Sequence, residues 1–136
     1  MQIGELAKRC SVSIDTVRYY EKQGLLRPEG RTPAGYRYYA GESVKCLQFI
    51  LKAKALGFTL REIQDLLEIR VSPEDYECAS VKQMADDKLA KIEQKITELL
   101  QIQAALKDVA ALCCGGAEPA TSCSILDALS HHSEAQ

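Results

Sequence analysis

The spacing of apolar residues predicts a string of short helices followed by one long one. Ile3, Leu6 and Ala7 fall at i, i+3, i+4 and predict a first helix that ends near Cys10-Ser11. Ser11-Val12-Ser13 predicts a tight turn, with Ser13 or Asp15 capping a second helix over about Ile14–Gln23 and Gly24 stopping it. Two β-prone runs, Leu25-Leu26-Arg27-Pro28 and Tyr36-Arg37-Tyr38-Tyr39, flank the turn-rich Arg31-Thr32-Pro33-Ala34-Gly35 and predict a hairpin. A third helix over about Gly41–Leu56 carries an inward stripe of Val44, Leu47, Ile50 and Leu51. Gly57-Phe58-Thr59 then breaks the chain. Thr59 with Glu62 has the capping-box pattern for a fourth helix, whose stripe is Ile63, Leu66 and Leu67.

From Ala79 to about Ala111 there is neither Gly nor Pro. Ala85, Leu89, Ile92, Ile96, Leu99, Gln103, Leu106 and Ala110 are spaced 4, 3, 4, 3, 4, 3, 4, an a/d repeat that predicts a coiled-coil dimer. A helix of about 33 residues is about 50 Å long at its rise of ~1.5 Å per residue. Cys78, just before it, and Cys113, just after it, are therefore too far apart to share an ion within one chain. In an antiparallel pair the start of one helix lies beside the end of the other. The partner subunit's Cys78 would then meet Cys113, Cys114 and Cys123, giving two equivalent sites per dimer.

Composition changes this picture little: 46% hydrophobic and 26% charged residues describe an ordinary folded chain. No apolar run approaches the ~20 residues of a membrane span, and Met1-Gln2-Ile3-Gly4-Glu5 has no signal-peptide pattern, so a cytoplasmic location without membrane contact is expected. Charge is more informative. The net −2 divides into +4 over residues 1–70 (12 basic, 8 acidic) and −6 over residues 71–136 (5 basic, 11 acidic). A basic head suits a phosphate partner.

Two helices joined by a tight turn suit a helix-turn-helix whose second helix enters the major groove. That helix carries Thr16, Arg18, Tyr19, Tyr20 and Lys22. Arginine can bond guanine edges, while hydroxyls and lysine hold phosphates; Val17 and one of the tyrosines can instead be core. The hairpin reads as a wing bearing Arg27, Arg31, Arg37 and three tyrosines, Tyr36 among them, with Tyr38 or Tyr39 covering the core. Lys52 and Lys54 offer further phosphate contacts or plain surface charge.

The six cysteines do not suggest a disulfide framework in a reducing compartment. Cys10 and Cys46 stand alone in the head and read as small core or surface residues. Cys113 and Cys114 are adjacent, and Gly115, Gly116 and Pro119 let the loop fold back so that Cys123 can face them. Thiolates select Zn, Cd, Hg, Pb or Cu(I) over Mg or Ca. Cu(I) needs two thiolates, so Cys78 argues for a divalent ion. Mercury can use Cys78, Cys114 and Cys123, whereas four cysteines plus an oxygen or nitrogen donor can hold zinc, or two zinc ions sharing Cys78. Inert thiols or a redox disulfide to Cys123 are the alternatives.

Ile3-Gly4-Glu5-Leu6-Ala7, Thr16-Val17-Arg18-Tyr19-Tyr20-Glu21, Gly24-Leu25-Leu26, Arg31-Thr32, Gly35-Tyr36-Arg37-Tyr38-Tyr39 and Leu56-Gly57-Phe58 resemble the winged-helix head of the MerR family. The resemblance implies an antiparallel homodimer on double-stranded promoter DNA, with both wings on the backbone. It also implies DNA distortion that lets RNA polymerase use the promoter. Ile69-Arg70, Pro73-Glu74 and Cys78 resemble the hinge of the divalent-metal sensors, and Cys113-Cys114-Gly115 with Cys123-Ser124-Ile125-Leu126 is similar to the zinc-responsive members. Where those offer a loop histidine, this chain has Glu118; His131 and His132 could substitute, but read better as a frayed, non-binding tail.

The expected fold is mainly α. Residues 1–70 form a winged helix-turn-helix head with a small β-hairpin wing, and residues 71–111 the hinge and long antiparallel coiled-coil dimerisation helix. Residues 112–136 form a metal-binding loop and short C-terminal helix. The expected function is a zinc-responsive transcription activator of a metal efflux gene, with cadmium, lead or mercury as other ions. Its ligands are Cys78 from the partner subunit, Cys113, Cys114, Cys123 and, as a fifth candidate, Glu118. A cysteine-based oxidant sensor and a metal buffer or metallochaperone without a DNA role are the rivals. An enzyme is not expected, since neither a base-and-orienter arrangement near the cysteines nor a phosphate-binding Gly loop is present.

Overall fold

The computed structural model describes residues 1–130, so His131 and His132 lie outside the described residues. The chain divides into two compact units, Met1–Lys88 and Leu89–Gln136.

In the first unit, α1 (Ile3–Arg9) and α2 (Ile14–Lys22) form the helix-turn-helix. Ser11 turns the chain at φ 57°, and Ser13 caps α2 by accepting the Thr16 N–H at 3.1 Å. Gly24 stops α2 at φ 79°, a left-handed conformation that costs a residue without Cβ little. Strands β1 (Gly30–Arg31) and β2 (Arg37–Tyr38) pair antiparallel, with Gly30 opposite Tyr38 and Arg31 opposite Arg37. The Thr32 N–H donates to Tyr36 O at 2.7 Å and the Gly35 N–H to Thr32 O at 2.8 Å, closing the turn.

The strands differ from the sequence expectation, which placed the first run at Leu25–Pro28. Leu25 and Leu26 are buried in the core instead, and Pro28 has no N–H to give to a ladder. Tyr39 likewise leaves the hairpin for the core, while Tyr38 remains 43% exposed.

Helices α3 (Gly41–Ala55) and α4 (Leu60–Val71) complete the head. The capping box forms: the Glu62 N–H donates to Thr59 Oγ1 at 3.2 Å and the Thr59 N–H to Glu62 Oε1 at 2.8 Å. Leu6, Val17, Tyr20, Tyr39, Leu47, Ile50 and Ile63 are fully buried in one core fed by all four helices and the end of the wing. Arg70 on α4 bonds Glu42 on α3 at 2.8 Å and lies 5.6 Å over the Phe49 ring.

A short 3-10 turn, Pro73–Asp75, leads to α5 (Cys78–Ala110), of which Cys78 is the first residue rather than the one preceding it. The start of α5 is tied to the head through Lys88, whose ammonium bonds Glu62 Oε1 at 2.8 Å and sits 5.9 Å over the Phe58 ring.

In the second unit, α5 continues with its heptad residues Leu89, Ile96, Leu99 and Leu106 all more than half exposed in the single chain. An apolar seam of this regularity is a face made for another helix. A loop, a 3-10 turn over Ala120–Ser122 and α6 (Ser124–Ser130) follow. No helix among the described residues is long and apolar enough to cross a membrane.

Candidate metal centre and DNA-binding surface

Helix α2 presents Arg18, Tyr19 and Lys22 outward, and Thr16 is half-buried with its hydroxyl 2.9 Å from that of Ser13. Tyr20 must be corrected. It is 2% exposed and shares the inward face with Val17, three residues earlier, so it anchors the helix and has no surface left for DNA. Arg27 also leaves the predicted set of wing residues. It lines a hollow with Gln64, Leu67, Glu68 and Tyr76 of α4 and the hinge. On the wing proper, Arg31, Tyr36 and Arg37 are exposed, and together with Arg18 they line a concavity of about 320 Å3. Lys52 and Lys54 are exposed in the last turn of α3.

Sequence reasoning missed Glu21, which is ion-paired with Arg37 Nε at 2.9 Å and accepts from the Tyr39 hydroxyl. Nothing local marks it, because its partners lie on another element. Cys10 and Cys46 are half-buried, their thiols 3.8 Å from Val44 O and 3.7 Å from Leu25 O. Burial pushes both thiols above the usual range, as befits inert packing residues.

In the second unit, Cys113, Cys114, Glu118 and Cys123 line one concavity of about 490 Å3. Cys113 and Cys123 are half-buried and Cys114 is exposed. The fold-back predicted from the loop glycines does bring Cys113 and Cys123 to one concavity, where the Cys113 thiol helps to lower the pKa of Cys123. The Gly115 N–H reaches Cys113 Sγ at 3.5 Å. The N–H groups of Leu126 and Ile125, followed by the Cys113 thiol, draw Cys123 below the usual thiol range, while burial opposes them. Glu118 curls over Gly116, where a Cβ would meet its Oε2 at 2.1 Å. The donor set fits a soft ion: backbone N–H groups favour thiolates, and a carboxylate stands at the mouth. Among the described residues, however, no three His, Cys, Asp or Glu groups converge closely enough to hold a metal in one chain. Cys78 is exposed in the first unit.

Residues 1–69 match the MerR HTH family regulatory protein family, and residues 44–109 the MerR, DNA binding family. The chain belongs to the MerR family. MerR regulators bind promoter DNA as dimers and contact RNA polymerase; they are transcription regulators, not enzymes. The HTH-type transcriptional regulator ZntR of Escherichia coli (strain K12) is 43% identical over 128 residues, 94% of this chain and 91% of that one. The mercuric resistance operon regulatory protein of Bacillus cereus is 39% identical over 112 residues, covering 82% and 84%. The crystal structure of the transcription regulator PbrR691 from Ralstonia metallidurans CH34 in complex with lead(II) superposes with a TM-score of 0.84 at 35% identity, covering 95% of this chain and 98% of that one.

Proposed function

We propose that this MerR-family, metal-responsive regulator answers Zn(II) and switches on a metal efflux gene from the cytoplasm. The observation that carries the proposal is the single concavity lined by Cys113, Cys114, Cys123 and Glu118. Three thiols and a carboxylate suit a borderline ion that accepts both sulfur and oxygen. The fourth thiol is the partner subunit's Cys78. Helix α5 has 33 residues, and a helix of that length holds its ends about 50 Å apart, so the thiol at its start serves the other protomer in an antiparallel pair.

On this reading residues 1–70 are the DNA-binding head, 71–111 the hinge and dimerisation helix, and 112–136 the sensor. Thr16, Arg18, Tyr19 and Lys22 enter the groove. Arg31, Tyr36 and Arg37 grip the backbone, with Lys52 and Lys54 on flanking phosphates. Metal draws the loop against the partner's hinge and shifts the heads, changing how promoter DNA is presented to RNA polymerase.

Lead(II) and mercury(II) form the second reading, favoured by the likeness to a lead-bound structure and to a mercuric resistance regulator. Cadmium belongs with them. Titrating promoter activation with Zn(II), Cd(II), Pb(II), Hg(II) and Cu(I) separates these. Half-maximal activation at the lowest free concentration is expected for Zn(II), and a response to Cu(I) alone would overturn the divalent assignment.

A further inference from the structure

Glu21 is an acidic residue on a helix that meets phosphates, flanked by Tyr20 and Lys22. A carboxylate facing the backbone there would repel it, yet the Glu21 side chain is only 15% exposed. Each of its oxygens is committed. One is ion-paired with Arg37 Nε at 2.9 Å, and the other accepts from the hydroxyl of fully buried Tyr39. Arg37 lies on β2 and Tyr39 directly follows that strand, so one carboxylate joins the recognition helix to the second limb of the hairpin and its exit. Burial, then the bond to Glu21, pushes the Tyr39 phenol upward, so it stays a donor at any ordinary pH.

The geometry at Arg37 is specific. Its Nε is occupied by Glu21, which leaves the two terminal nitrogens of the planar fork for a second acceptor. The side chain is 42% exposed and opens into the concavity that Arg18, Arg31 and Tyr36 also line. Arg31 sits opposite Arg37 in the hairpin register, and its own Nη1 donates to Gly35 O at 3.1 Å. Three guanidinium groups thus crowd one hollow with the Glu21 carboxylate bound to one of them. Without that carboxylate, Arg37 would be repelled by its neighbours and free to extend into solvent.

The geometry points to Glu21 as a positioning residue for DNA binding: it clamps the wing to α2 and aims the free nitrogens of Arg37 at a backbone phosphate without touching DNA. The inference rests on the reading above that the arginine hollow meets phosphate. It makes a prediction of unusual sign. By Coulomb's law alone, removing a negative charge near DNA should tighten binding; loss of positioning should weaken it.

The test uses the full-length dimer and a duplex selected by the wild-type protein from a random-sequence pool, with Kd measured against salt. Each neutralised phosphate contributes about −0.9 to the slope of log K on log salt. Arg37→Gln should lower the slope by about 1.8 per dimer, one phosphate for each protomer. Glu21→Gln should weaken binding about tenfold with a similar fall in slope, and should add nothing on top of Arg37→Gln, as coupled residues do. Glu21→Asp keeps the charge but retracts the carboxylate by one methylene, and its slope should fall as well. A Glu21→Gln protein that binds as tightly as wild type with an unchanged slope overturns the inference, even if its melting temperature drops, since a merely structural role would do that. If Arg37→Gln itself leaves the slope unchanged, the phosphate reading of the hollow fails first, and the two failures are distinguishable.

Discussion

Replacing Glu62 with Gln removes a carboxylate that serves two neighbours at once, the Thr59 N–H and the Lys88 ammonium, each 2.8 Å from Oε1. Lys88 first, and then the Thr59 backbone, lower its pKa from 4.5 to about 2. At 1.36 kcal/mol per unit, a depression of that size corresponds to about 3.4 kcal/mol without screening. The Glu62 side chain is 25% exposed, so solvent screens part of this, and about 1–2 kcal/mol at neutral pH is the expected cost of the substitution. The sign follows from a depressed carboxylate: its contribution is complete above the ordinary value of 4.5 and is lost as pH falls toward about 2. Urea denaturation of wild type and Glu62→Gln, at one fixed protomer concentration because the protein is a dimer, measures the gap. It should be about 1–2 kcal/mol near pH 7 and narrow steadily below about pH 4.5. A gap that is absent at neutral pH, or that stays constant into acid, refutes the reasoning.

Three further outcomes are expected. Mixing Cys78→Ser chains with Cys113→Ser/Cys114→Ser chains should give heterodimers with one intact site, and about half the metal stoichiometry of wild type by equilibrium dialysis; no metal-dependent response from them would refute a shared site. Tyr20→Ala should destabilise the head by about 3–5 kcal/mol in a thermal or urea melt, as loss of a buried aromatic does, whereas Tyr19→Ala should change stability by under about 1 kcal/mol and act on operator affinity. Gly116→Ala should displace the Glu118 carboxylate, since the new Cβ would lie 2.1 Å from its Oε2. Its effect should appear as altered zinc affinity, with unchanged DNA binding in the metal-free protein.

Much of the head is legible in the sequence because its signals are local. Thr59 and Glu62 are three residues apart, and the capping box that they predict is the one that forms. Val17 and Tyr20 are also three apart, so the helical period already places Tyr20 on the buried face. A phenol suits either place, so the sequence alone offers Tyr20 to DNA along with its neighbour Tyr19. The strand positions were misplaced because Leu25 and Leu26 satisfy β-propensity and core burial equally well, and tertiary packing decides. The Glu21–Arg37 pair joins two elements and leaves no periodic trace. In the sensor loop, Gly115, Gly116 and Pro119 foretell the fold-back that brings Cys113 to Cys123. The proposed meeting of the loop thiols with Cys78 cannot be read from one chain, since it needs the partner subunit.

If the partner subunit's Cys78 completes the proposed centre, detection becomes a property of pairing. On that proposal an unpaired chain offers the three loop thiols and Glu118 but lacks the fourth thiol. Below the concentration at which the dimer forms, most chains would be unpaired and most such sites incomplete. At low abundance the concentration of competent sites would scale with the square of the chain concentration. The number of complete sites would then follow the amount of sensor more steeply than the number of chains does.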